Sequence, residues 1–167
     1  MTDDCMTEDW LLRAEEICMQ CGGHCCDEAH PPISPACHER LLSHGVSPDV
    51  FESVGYLRLK VQEDGNCIMM KDGRCSIHRI KPETCRAGPF TFDVTGDQIN
   101  VYLKHERICP VVGLLKTVPE AYRTQYDLAA QNIAQLVAHL PPDELCEICR
   151  IDEPETDKVD EIPRLDA

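Results

Sequence analysis

The residues that could do chemistry in this chain are cysteines. There are twelve in 167 residues, and eight of them form one ordered series. The first group reads Cys18-Met-Gln-Cys21-Gly-Gly-His-Cys25-Cys26. A C-x2-C pair can close a loop around one metal ion. Glycine after the second cysteine lets backbone N–H groups turn toward the sulfurs and tune their charge. Cys25 and Cys26 are adjacent, and neighbouring side chains diverge. They serve different metals, or one ligates while the other packs. The second group reads Cys67-(x7)-Cys75-Ser-Ile-His78-Arg79-Ile-Lys81-Pro82-Glu-Thr-Cys85-Arg86. Cys67 and Cys75 flank a Lys-Asp-Gly-Arg turn, so both can face one site. Pro82 stiffens the approach to Cys85. Cys109-Pro110 closes the series.

Eight thiolates suit two four-coordinate sites, either all-thiolate zinc centres or two [4Fe–4S] clusters. One four-cysteine site plus one that uses His78 fits the Cys75–His78 spacing as well. Each all-thiolate centre carries about −2, four thiolates against Zn²⁺ or a cluster core of +2. Arg74, Arg79, Lys81 and Arg86 lie among the ligands and could offset that field; equally, they could be ordinary solvated surface.

Several elements must position these residues. Residues 7–20 have the apolar spacing of a helix, with Thr7 as N-cap, and deliver Cys18 and Cys21 at its end, where Gly22 and Gly23 stop it. Ser34-Pro35 opens a second helix that Gly45 closes. Ser47-Pro48 repeats the device, and Gly55 ends that segment. Residues 56–62 alternate as a half-buried strand. Asp64-Gly65 and Asp72-Gly73 mark turns around Cys67. Residues 90–94 and 99–103 flank Thr95-Gly96-Asp97 as a β-hairpin. A long helix is predicted over 119–139, broken by Pro141-Pro142, and a short helical piece carries Cys146 and Cys149. The expected organisation is α+β. A small metal-organised domain spans 1–150, with short strands, a hairpin and flanking helices and a motif core at 18–113. An acidic, mobile tail follows at 151–167.

Composition narrows the function classes. With one Trp, four Tyr and three Phe, aromatic packing is thin, and metal could organise part of the fold. The formal net charge of −14 argues against a nucleic-acid binder or an anionic membrane surface. Residues 1–10 lack the basic, apolar and small-residue regions of a signal peptide. The expected location is therefore the cytoplasm, where clustered cysteines point to metal rather than to a disulfide scaffold.

The run Cys-x2-Cys-Gly-Gly-x-Cys-Cys, followed by Cys67, Gly73-Arg74-Cys75-Ser-Ile-His78, Pro82-x2-Cys85-Arg86 and Pro89-Phe90, resembles the YkgJ-like cysteine-cluster family of zinc- or iron-chelating proteins. The resemblance covers roughly residues 18–113 and implies metal chelation, without supplying a reaction. Where the family's pattern has an aromatic, this chain has His78.

Outside the series, Cys146-Glu-Ile-Cys149 reads as a further ligand pair, a redox pair or two core residues. Cys5 and Cys37 have no partner in sequence. His24, His30, His38, His44, His105 and His139 show no paired spacing. No dinucleotide fingerprint, P-loop or nucleophile elbow occurs, so no catalytic residue is assigned. The expectation is a Zn²⁺ or Fe–S protein held by Cys18, Cys21, Cys25, Cys26, Cys67, Cys75, Cys85 and Cys109, which passes electrons or clusters to a protein partner. A structural zinc module that mediates protein interaction, and a metal-dependent enzyme, are the alternatives.

Overall fold

The computed structural model describes residues 3–22, 31–153 and 155–165, with side chains from residue 9 onward. The elements are α1 (Asp3–Cys21), α2 (Pro35–Ser43), β1 (Phe51–Ser53), β2 (Leu57–Leu59), β3 (Met70–Lys71), β4 (Arg74–Cys75), α3 (Glu83–Ala87), β5 (Phe90–Thr95), β6 (Gln98–Lys104), α4 (Val111–Thr117), α5 (Pro119–His139), α6 (Pro142–Cys149) and β7 (Thr156–Pro163). The fold class is α+β, as the spacing predicts.

Two apolar cores organise the chain. The first gathers Trp10 of α1, Ile99, Val101 and Leu103 on one face of β6, and Ile133, Leu136 and Val137 of α5. Leu145 and Ile148 of α6 close it. Phe90 enters it from β5 and meets the rings of Tyr122 and Tyr126 edge-on, each at 5.6 Å. The second core is smaller: Ile33, Cys37, Leu41, Phe51, Leu59, Cys67 and Ile77.

Three antiparallel sheets occur among the described residues. β1 pairs with β2, β3 with β4, and β5-β6-β7 form a three-stranded sheet with β6 in the centre. The hairpin pairs Phe90 with Leu103 and Thr95 with Gln98, so Ile99, Val101 and Leu103 share the core face.

Four differences from the sequence reading have physical causes. α1 begins at Asp3 rather than near Thr7, which places Thr7 inside the helix. Ser47 does cap, accepting from Asp49 N–H, but only a single 3-10 turn follows before the chain turns extended at Phe51. Val111–Thr117 is a helix the pattern did not single out. The acidic segment after 151 is not a mobile tail over its whole length. Residues 156–163 are β7, paired along β6 from Gln98↔Pro163 to Lys104↔Thr156.

Candidate metal centre

Cys18 and Cys21 lie in the last turn of α1. The helix stops because Gly22 takes φ +71°, a left-handed conformation that costs glycine little, and its N–H donates to Met19 O at 3.3 Å. Cys18 is exposed and Cys21 half-buried. Cys25, Cys26 and His24 lie outside the described residues.

Cys67 is held by its loop. The Asp64 carboxylate accepts from Asn66 N–H at 2.9 Å, and Gln62 N–H donates to Asn66 O at 2.7 Å. The Gln62 amide then donates to Cys67 O at 3.0 Å and to Met70 O at 2.9 Å. Cys75 stands opposite Met70 in the β3–β4 ribbon, whose turn has Asp72 at φ 50° and Gly73 at φ 74°. Both cysteines touch the second core, Cys67 buried within it and Cys75 packed against it. Cys85 sits exposed in the middle of α3. Cys109 precedes α4, donates its N–H to His105 O at 3.1 Å, and packs on the rim of the first core.

α3 runs between the two cores, while α1 packs on the first, against α4 and α5. Trp10 and Ala14 of α1 belong to the first core. One residue further on, Glu15 exerts a field on His78, in the turn just after Cys75. α3 buries Ala87 in the first core, where Gln125 of α5 donates to Arg86 O at 3.1 Å and Gly88 O at 2.8 Å. Its other end buries Glu83 against α2, beside the second core. Cys85 lies between these anchors. Among the described residues, no three His, Cys, Asp or Glu side chains stand close enough together to hold a metal ion. Each of Cys18, Cys67, Cys85 and Cys109 nevertheless has an interaction partner.

Basic groups surround this seam. The Lys81 charge, followed by burial, pulls the His78 pKa below its ordinary value, with Glu15 opposing. Arg86 reaches Arg79 O at 3.5 Å. Arg40 of α2 donates to Ile80 O at 3.4 Å and Lys81 O at 3.3 Å, which ties down the chain between Cys75 and Cys85.

A buried polar cluster behind α3 escaped the sequence reading. Ser34 caps α2 by accepting from Cys37 N–H at 3.1 Å and donates its own proton to Glu83 Oε1 at 3.0 Å. Cys37 accepts from the Arg40 guanidinium at 3.5 Å, and burial, then the Glu83 charge, pushes its thiol up to about 12. The cap was legible in Ser34-Pro35. Its link to Glu83, 49 residues away, left no local signal.

Cys146 and Cys149 end α6. Cys149 packs on the first core, and burial raises its pKa against a hydrogen bond from the Val94 backbone. That is the environment of a core thiol rather than an activated one. Cys146 is exposed.

The donor set at the seam suits zinc or an iron–sulfur centre. Its sulfurs stand at a helix end, within α3 and beside tight turns, with Cys18 and Cys85 exposed and Cys21, Cys75 and Cys109 half-buried. No helix among the described residues is long and apolar enough to cross a membrane. No curated protein and no solved structure matches the chain. Residues 17–110, more than half of the chain, match the family described as "CxxCxxCC: Putative zinc- or iron-chelating domain". The chain belongs to this cysteine-cluster family, whose domain binds zinc or iron.

Proposed function

We propose that the chain is a cytoplasmic metalloprotein whose thiolates hold a zinc or iron–sulfur centre where its two cores meet. The proposed ligands are Cys18, Cys21, Cys25, Cys26, Cys67, Cys75, Cys85 and Cys109. The observation that carries this reading is the course of α3, which buries Ala87 in the first core and Glu83 against α2 beside the second, with Cys85 between them. Bound there, an iron–sulfur centre supplies one-electron chemistry and zinc supplies a fixed tetrahedral junction. The protein's own part is to supply sulfur from both sides, to keep Arg40, Lys81 and Arg86 near the negative centre, and to hold each ligand loop by backbone hydrogen bonds. In the iron–sulfur form the role is electron transfer or cluster supply to a protein partner, and the −14 net charge suits a partner with a basic face.

A structural zinc role is the second reading. It is favoured by the seam itself, which metal would cross-link.

Anaerobic purification followed by metal and sulfide analysis tests both. Visible charge-transfer absorption with iron and acid-labile sulfide supports the iron–sulfur form. A colourless protein with stoichiometric zinc supports the structural form. Cys21→Ser and Cys85→Ser should each purify with substoichiometric metal. Full metal content in both variants would overturn the ligand assignment.

A further inference from the structure

We infer that Glu83 is a positioning residue for the metal centre, acting through the rotation of α3 on where Cys85 points. The inference rests on the thiolate-site reading above and goes beyond it, because Glu83 is not a ligand in that reading.

The geometry begins with a five-residue helix, Glu83–Ala87, too short to hold its own orientation. Glu83 and Ala87 are four apart and share a face, and both are buried. Cys85, two residues on from Glu83, is about 200° around the helix and exposed. Whatever fixes Glu83 therefore helps to fix the direction of the Cys85 thiol, together with the Gln125 hydrogen bonds at the far end of α3. Ala87 has no polar handle. Glu83 has one, the hydroxyl of Ser34, the cap of α2, at 3.0 Å. Arg40, further along α2, holds Ile80 O and Lys81 O, so the same helix fixes the chain on which α3 begins.

Stability alone does not account for this arrangement. Glu83 is 7 % exposed, Ser34 1 % and Cys37 0 %. Glu83 Oε2, Arg40 Nε and Thr84 Oγ1 are buried without a hydrogen-bond partner. A buried carboxylate with an unpartnered oxygen is costly, and an apolar side chain of similar volume often packs as well or better. What an apolar residue cannot supply is a directional bond. Cys37 supports the tether from behind, its N–H donating to Ser34 Oγ at 3.1 Å.

The test uses the full chain, purified without metal under reducing conditions and titrated with Co²⁺, whose thiolate charge-transfer band reports bound sulfur. Affinity is measured against a competing chelator. Four variants are compared: Glu83→Met, Glu83→Gln, Cys85→Ser and the double variant Glu83→Met with Cys85→Ser. Glu83→Met keeps the volume and loses the tether. It should unfold thermally within a few degrees of the parent without metal, yet bind Co²⁺ at least about tenfold more weakly, the scale of losing an outer-shell support. Its charge-transfer intensity should fall to that of Cys85→Ser, and the double variant should lose nothing more. Glu83→Gln keeps an oxygen for the Ser34 hydroxyl and should retain parental affinity. Parental affinity and intensity in Glu83→Met would overturn the proposal. So would a loss in Glu83→Met that only tracks lost stability, or an equal loss in Glu83→Gln. If the parent protein gives no thiolate band at all, the metal-site reading itself fails, an outcome separate from failure of the Glu83 tether.

Discussion

At the scale of single residues, position in the fold separates thiols that look alike in sequence. Cys37 and Cys146 both fall outside the ordered series. Cys37 is fully buried against Glu83 with its thiol pushed up to about 12, while Cys146 is exposed. Native protein treated with iodoacetamide near pH 8 should carry the label on Cys146 and not on Cys37, as read by peptide mass spectrometry. The same shift sets a pH dependence. Unfolded, the Cys37 thiol titrates near its ordinary value of 9.0, and folded it keeps its proton to about 12. Its contribution to stability is therefore whole below about pH 9 and is lost as pH rises toward 12. Replacing it by alanine should flatten the alkaline arm of the unfolding midpoint against pH. An arm as steep as the parent's would show that Cys37 is not the titrating group. Sequence could mark Cys37 as a cysteine outside the motif. It could not reveal Glu83 as its partner, because nothing local links the two.

At the scale of elements, helices with an apolar stripe were legible, and so was the hairpin. The long helix is found at Pro119–His139, and the Thr95-Gly96-Asp97 turn joins β5 to β6. β7 was not legible because its stabilisation comes from its neighbour. Its residues are almost all exposed on both faces, and only Ile162 packs against the first core. The strand exists through its ladder on β6 and through side-chain ties: Tyr126 to Asp160, Arg107 to Glu155, and His105 to Asp157 at 3.2 Å. A chain ending at Glu153 should therefore unfold at least about 5 °C lower. Several hydrogen bonds each contribute about 1 kcal/mol, and a domain of this size loses roughly 2–4 °C per kcal/mol. It should also self-associate on gel filtration through the uncovered β6 edge. An unchanged midpoint and a monomeric profile would show that the ladder contributes little.

At the scale of the whole molecule, the two cores meet along a seam crossed by few elements. Besides α3, Tyr56 from the β1–β2 turn inserts into the first core, and the Glu144 carboxylate of α6 accepts from Leu57 N–H at 3.0 Å. If thiolates from both sides share a metal there, chelation should act on the seam before the cores. Hydrogen exchange after full metal removal should speed up first in the end of α1 and across residues 67–86, while α5 and the β5–β6 hairpin keep their protection. Uniform exchange with and without metal would count against a centre at the seam. The ordered cysteine series in the sequence was enough to identify the family. The seam was not legible there, because which core a segment joins depends on contacts between residues far apart in the chain.

The brevity of α3 has a mechanical consequence. A helix of barely more than one turn, clamped at Glu83 on one side and at Ala87 on the other, works as a crank between two bodies. Any small rotation of one core against the other turns the crank and swings the thiol at its midpoint. A protein that grips both sides of the seam would thus have leverage over where the Cys85 thiol points, without touching the sulfur.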